Sequence, residues 1–209
     1  ILVVSSDFPA ITRPWISYSK HNDCSTEFLK EIPEESLTDT IISRIDHQTS
    51  VVAVSLVQFS TGTKIDVYKL RQATKKIGSK LILDVTQAAG VLDIKAVDYA
   101  ADVLVCSGYK WLGGHGGVGL AVLSKETLKE DPILTGWMGT DSPFDLQPEK
   151  LLYANDARKF TQSTMSYISI KGLETSIKEI INLDIQKIND HSDKLCLLYT
   201  SDAADEEDS

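Results

Sequence analysis

Short apolar runs recur along the chain, and their length favours strands. They are rich in valine, isoleucine and leucine, and one of them, VVAVSLV, is continuous rather than alternating. A continuous run of β-branched residues is typical of a strand that is buried on both faces of a sheet. We predict strands at residues 1–6, 51–57, 81–85, 102–107 and 117–124.

Amphipathic segments separate these runs. Between residues 66 and 77 the apolar side chains recur at helical spacing, and Gly78 follows as a stop signal. We also predict helices at residues 33–45 and 94–99, a long helix from Met165 and a further helix from about Asp184. Alternation of strand and helix predicts an α/β domain with a mostly parallel sheet flanked by helices.

Two of the predicted strands lead into residues that carry chemistry. Asp84 ends the apolar run of LILDVTQAAG, with Gln87 three residues later, and Lys110 lies just past another run in VLVCSGYKWLGGHGG. Ligands bind at this edge of an α/β sheet. An acid and a lysine there form the layout that activates pyridoxal phosphate (PLP), with the lysine as Schiff base and the acid at the pyridine nitrogen. The alternatives are a helix-capping aspartate and an ordinary surface lysine.

The same residues match a known pattern. Asp84 and Gln87 form an Asp-x-x-Gln motif, and Lys110 closes the motif Ser-Gly-Tyr-Lys. In this order and spacing they resemble the class V aminotransferase family of PLP-dependent enzymes, which includes cysteine desulfurases and isopenicillin-epimerase-like proteins. The segments DFPAITRPW, VVAVSLVQFSTG and ARKFTQST extend the resemblance. It implies the large domain of a fold-type I PLP-dependent transferase.

The resemblance implies a role for each residue around the cofactor ring. Lys110 would hold PLP and, once freed by substrate, move the α-proton. Asp84 would pair with the pyridinium nitrogen, Gln87 would donate to the phenolic oxygen, and Thr86 would pack beneath the ring. Phe8, placed by DFPAITRPW, would stack on the ring.

Three further residues are implied as phosphate ligands. Ser107 and Tyr109 would reach the cofactor phosphate, for which a hydroxyl is a suitable donor. Thr164 aligns with a threonine that relatives send into the partner subunit's site, so a homodimer with a shared active site is expected. The alternatives are a packed aromatic for Tyr109 and an ordinary loop threonine for Thr164. We predict no metal site.

The function implied is action on an amino acid by transamination, epimerisation or elimination. One alternative is a cysteine desulfurase or selenocysteine lyase, but desulfurases carry histidine where Phe8 stands, and phenylalanine cannot move protons. Gln58 and Phe59, where many relatives carry an asparagine, are a second departure. Cys106 precedes Ser107 on a predicted strand and is expected to point into the packing. A non-catalytic binding protein that kept the fold is the remaining alternative.

The glycines after the lysine formally match a dinucleotide-binding motif. Residues 114–119 read GHGGVG, but they follow a loop and open a predicted strand, whereas that fingerprint must open a helix. We predict instead that these glycines permit close backbone approach after Lys110.

Both ends of the chain indicate truncation. The sequence lacks an initiator methionine and starts within a predicted strand, and residues 196–206, CLLYTSDAADE, resemble a translated sequencing adapter. The alternative is a natural acidic tail. We expect residues 1–195 to be a partial PLP-binding catalytic domain, inactive alone, and residues 196–209 to be a non-native tail.

Composition and charge limit the classes of binding partner and the compartment that we predict. The 209 residues are 42% hydrophobic and 24% charged, which fits a soluble globular protein. Net charge is −9, and without the five acids of the tail 25 acids face 21 basic residues, so neither nucleic acid nor an anionic membrane is favoured. No apolar run approaches the roughly 20 residues of a membrane span. Cys24 and Cys106 are too few for a disulfide framework, so we predict a reducing cytoplasm.

Overall fold

The computed structural model describes residues 1–32 and 35–207, with side chains up to residue 198. Its centre is a six-stranded sheet in the order β2-β1-β3-β4-β5-β6. The first five strands in this order pair in parallel, and β6 is antiparallel to β5. The strands are β1 (Leu2–Val4), β2 (Glu27–Leu29), β3 (Val51–Ser55), β4 (Lys80–Asp84), β5 (Val103–Ser107) and β6 (Gly119–Leu123).

Among the described residues, four α-helices lie in the connections between strands β1, β2, β3, β4 and β5, and two more follow β6. They are α1 (Pro9–Ser19), α2 (Leu37–Ser43), α3 (Val67–Ile77), α4 (Ala96–Tyr99), α5 (Tyr167–Leu183) and α6 (Ile185–Glu207), with short 3₁₀ turns at Thr127–Lys129, Trp137–Gly139, Pro143–Asp145 and Ala157–Phe160. Helix α3 shows how local sequence sets an element. The Asp66 carboxylate accepts from the Lys69 amide at 2.9 Å as N-cap, and Gly78 ends the helix at φ +79°.

The predicted α/β architecture is confirmed, and every predicted strand is present. Two elements were missed. Helix α1 begins at Pro9, in a segment for which no element was predicted, because proline suits the first helical position. Strand β2 has only three residues, one of them buried, and carries too little apolar pattern to be recognised. The helix predicted at 33–45 is shorter, and its residues 33 and 34 lie outside the described residues.

Alternating side chains of the central strands divide between two hydrophobic clusters. Val52 and Val54 of β3 join the larger cluster, which helices α2 to α5 cover. Ala53 between them joins the smaller cluster with Val3, which Ile11 of α1 covers. Because successive side chains of a strand point to opposite faces, a continuous apolar run fills both clusters. This explains why VVAVSLV carries no polar alternation.

The C-terminal segment is helical as far as it is described. Helix α6 runs to Glu207, so it includes most of the residues predicted to be a non-native tail, while residues 208 and 209 lie outside the described part. The origin of that tail stays a prediction. Across the described residues, no helix combines the length and apolarity needed to cross a membrane.

A buried carboxylate ties α3 to the end of the sheet away from the carboxyl edges of β3 and β4. Asp102 accepts from Arg71 Nη1 at 2.8 Å and from the Leu81 amide at 2.9 Å, and Lys80 Nζ lies 3.3 Å away. Burial by itself raises the pKa of Asp102, but the Leu81 amide and the two cations outweigh it. The net pKa of this carboxyl is therefore lowered.

We expect Asp102→Asn to lower the free energy of unfolding by about 3 kcal/mol at neutral pH, since it leaves a partly buried Arg71 without its anion. A lowered folded-state pKa stabilises the fold above the unfolded value of about 3.9 and ceases to do so as pH falls through the folded value. Urea unfolding at neutral pH and near pH 3 measures both effects. The control is Asp39→Asn, whose pair with Lys69 is exposed and should contribute under about 1 kcal/mol. An equal loss for the Asp102 variant at both pH values would contradict the expectation.

Candidate active site

The carboxyl ends of β3, β4 and β5 form the floor of a cleft. Parallel pairing places Ser55 opposite Asp84, and β5 ends beside them at Ser107. The cleft has a volume of about 100 Å³. Residues from the turn before α1 and from the three strand ends line it: Phe8, Ala10, Ser55, Phe59, Asp84, Thr86, Gln87, Ser107, Tyr109 and Lys110.

The cleft collects the predicted site residues with one exception. All of them line it except Thr164, which is exposed in the segment between the Ala157–Phe160 turn and α5. A larger cavity of about 480 Å³ lies among residues from Thr135 to Leu152 and holds none of the predicted residues. We place the site in the smaller cleft because it contains the amine, the carboxylate and the hydroxyls that can do chemistry.

Asp84 and Thr86 are linked by a chain of hydrogen bonds across two strands. Asp84 Oδ1 accepts from the Thr86 amide at 2.8 Å, and Thr86 Oγ1 accepts from the Ser107 amide at 3.0 Å. Among the described residues no other hydrogen bond reaches this carboxylate, so Oδ2 is available to a ligand. Thr86 thus acts as a brace between the strand ends as well as lining the cleft.

Cys106 is not a nucleophile in this setting. It lies on β5 and is buried in the larger hydrophobic cluster. Burial, with a further contribution from the negative charge of Asp84, raises the pKa of its thiol to about 11, so it stays protonated at neutral pH. The expectation that Cys106 points into the packing is confirmed.

Lys110 faces an aromatic wall. Its Nζ lies 5.3 Å from the centre of the Phe8 ring, and Phe8 meets Phe59 edge to face at 5.4 Å. None of the ion pairs among the described side chains involves Lys110. The amine therefore lies beside an aromatic face, and no carboxylate of the described residues forms an ion pair with it.

The glycine-rich segment folds back tightly behind the lysine. A Cβ on Gly114 would lie 2.8 Å from the Gly108 carbonyl oxygen, and one on Gly108 would lie 3.0 Å from the Val118 oxygen. The segment then opens β6, a strand, so the dinucleotide-binding alternative is excluded as predicted. Helix α5 secures the loop, because Ser176 Oγ donates to the Gly113 carbonyl at 2.9 Å.

Asp7 is a buried acid beside the cleft that the sequence patterns did not single out. It is 5% exposed, and its carboxylate accepts from the Phe8 and Ser55 amides at 2.7 and 2.8 Å and from Ser55 Oγ at 2.6 Å. Gln58 Nε2 lies 3.4 Å from its second oxygen. The signal that pointed to Asp84, an acid at the carboxyl end of an apolar strand, applies equally to Asp7 after β1.

The groups present fit a pyridoxal cofactor. Lys110 offers an uncommitted amine, Asp84 a free carboxylate oxygen, and Ser107 and Tyr109 hydroxyl donors, all within one cleft. Phe8 supplies an apolar face beside the amine. Within the part of the chain that the structure describes, no cluster of three or more potential metal ligands occurs.

The sequence matches the model of one known protein family. The sequence profile described as aminotransferase class-V matches residues 1–202. An uncharacterized aminotransferase of Bacillus subtilis (strain 168), YcbU, is 25% identical over 197 residues, which are 94% of this chain and 51% of that protein. A kynureninase of Yarrowia lipolytica is 31% identical over 193 residues, covering 85% of this chain and 44% of the relative. The chain spans about half the length of the curated relatives it matches.

A solved structure matches the fold. The apo cysteine desulfurase from Thermococcus onnurineus NA1 superimposes with a TM-score of 0.84 over 98% of this chain and 51% of that one, at 22% identity. At this identity the likeness shows the fold alone. It confirms the fold-type I PLP architecture that the motifs implied.

We expect Asp7→Asn to lower the free energy of unfolding by about 1–3 kcal/mol, because the new amide NH₂ opposes a donor where a carboxylate oxygen accepted one. Chemical denaturation of the purified variant measures this, with the exposed Asp23→Asn as matched control. A loss no greater than that of the control would show that the Asp7 contacts contribute nothing to the fold.

Proposed function

The chain belongs to the class-V aminotransferase family, and on this premise we propose that it carries the cofactor-binding site of an enzyme that acts on an amino acid through PLP. Members of this family are PLP-dependent enzymes. The reaction we propose is a transamination, epimerisation or elimination at the α-carbon.

One observation carries the proposal. Lys110, Asp84 and Gln87, which lie on two different strand-to-loop junctions, line a single cleft. The intact set of these three residues also argues against a protein that only kept the fold. The set therefore favours a catalytic function over a purely binding one.

The proposed roles follow from the chemistry of each group. PLP, when bound, supplies an aldehyde and an electron-accepting ring. Lys110 Nζ would hold the cofactor through its aldehyde, and the same amine, once freed by substrate, would serve as the base for the α-proton. Asp84 Oδ2 would hold a proton on the pyridine nitrogen, and Gln87 would donate to the phenolic oxygen. Phe8 would cover one face of the ring.

A cysteine desulfurase is the alternative, because solved neighbours of the fold carry that activity. Two features count against it. Phe8 has no transferable proton, and the thiol of Cys106, with its pKa raised to about 11, is buried and protonated. A desulfurase would need its nucleophilic cysteine from another part of the protein. Release of sulfide from cysteine would separate the two functions.

We also propose that the protein is a cytoplasmic homodimer. Each active site of this dimer is shared between the two subunits. The support is the exposure of Thr164 and its absence from the cleft of its own chain. A homodimer is the commonest soluble oligomer. In this arrangement Ser107 and Tyr109 bind the phosphate from one subunit, and Thr164 binds it from the other.

We expect borohydride to fix PLP covalently to Lys110. Peptide mass spectrometry of the reduced protein should find the label on that residue and lose it in Lys110→Ala, while the exposed Lys125→Ala control keeps it. A label on another lysine of the wild-type protein would overturn the assignment.

We expect Thr164→Ala to weaken PLP binding by roughly 1–3 kcal/mol, the range for a charge-assisted hydrogen bond. Equilibrium dialysis measures the dissociation constant, and analytical ultracentrifugation of the same samples shows whether the subunits stay associated. Ser163→Ala, one residue away, is the control. Wild-type affinity for PLP in the Thr164 variant, or in a monomer of the wild-type protein, would contradict a shared site.

A further inference from the structure

Trp111, the residue after the proposed cofactor lysine, contacts another member of the site. Its indole Nε1 donates to Gln87 Oε1 at 3.2 Å. An indole N–H can only donate, so the amide of Gln87 must turn its oxygen toward Trp111. The NH₂ group of Gln87 is then the end of the amide left for the cleft that Gln87 lines.

The backbone around both residues is held close enough to keep this contact. Gly90, three residues after Gln87, has φ +98°, and a Cβ there would lie 2.5 Å from the Trp111 carbonyl oxygen. Only glycine permits that approach and that backbone conformation. On the other side, the Gly113 amide donates to the Lys110 carbonyl at 2.9 Å, which turns the chain just past Trp111.

We propose that Trp111 is a positioning residue that fixes the amide of Gln87 so that its NH₂, and not its oxygen, meets the phenolic oxygen of the bound pyridoxal cofactor. The inference rests on the proposed function, since it concerns the same cofactor. Trp111 touches neither cofactor nor substrate in this role and acts only through Gln87.

The consequence is electrostatic. A hydrogen bond donated to the phenolic oxygen withdraws negative charge from it. The oxygen then holds less tightly the proton that it shares with the Lys110 nitrogen. Without Trp111 the amide can rotate and present its own oxygen, which repels the phenolic oxygen. Removal of the indole N–H should therefore raise the pKa of this shared proton, which is measured as the pH at which the visible absorbance of the bound cofactor changes.

The test is a spectrophotometric pH titration of the PLP-loaded protein. Trp111→Phe keeps an aromatic ring but loses the N–H, and we expect its absorbance pKa to rise by about half a unit, as loss of part of one hydrogen bond would give. Trp137→Phe removes an indole from the larger cavity and should leave the titration unchanged. Trp111 is 56% exposed, so its replacement should leave the fold intact, which thermal unfolding checks.

A double-mutant cycle separates positioning from other effects. Gln87→Ala should raise the same pKa at least as far, and Trp111→Phe added to Gln87→Ala should cause no further rise. An unchanged titration in Trp111→Phe, or the same rise with and without Gln87, would overturn the inference alone. A wild-type protein that develops no visible band with PLP would overturn the proposed function and this inference with it.

Discussion

The parallel pairing of β3, β4 and β5 is the constraint on which the site depends. Five parallel residue pairs join β3 to β4, from Val51 with Lys80 to Ser55 with Asp84. Beyond β4 the ladder continues into the loop, where the Val85 amide donates to the Val105 carbonyl at 2.8 Å. Because parallel strands have their carboxyl ends at the same edge of the sheet, the residues that directly follow these three strands lie close together there. A slip by one residue would turn Asp84 to the other face and remove it from the cleft.

The two carboxylates at the carboxyl edge of the sheet, those of Asp7 and Asp84, have different hydrogen-bond environments. Asp7 is buried without a cation in ion-pair range among the described residues, and amide and hydroxyl donors satisfy it. Asp84 keeps one oxygen in a hydrogen bond to Thr86 and one uncommitted, and its field contributes to the raised pKa of Cys106. A buried acid such as Asp7, whose oxygens are hydrogen-bonded, supports the fold, whereas the partly buried Asp84 keeps an oxygen that can bind a ligand.

Close backbone approach holds the lysine loop in place. Gly108 and Gly114 pack against each other and against Leu173 of α5, at distances that a Cβ would reduce to about 3 Å. Ser169 and Ser176 of the same helix donate to carbonyls of this loop. A helix that lies more than fifty residues further along the chain thus secures the loop that carries Lys110.

Sequence by itself predicted most of the helices and strands, and it predicted most of the residues that line the cleft. The apolar runs predicted the parallel strands because continuous β-branched runs are typical of strands buried on both faces of a sheet. The two motifs singled out Asp84, Gln87 and Lys110 together. Helix α1 escaped recognition because its prolines weaken the helical signal. Only the tertiary structure decided which groups stay free. Whether Asp7 is satisfied, and which way the amide of Gln87 turns toward Trp111, depend on donors and glycines distant in sequence, and hydrogen bonds of that kind exist only after the strands have paired.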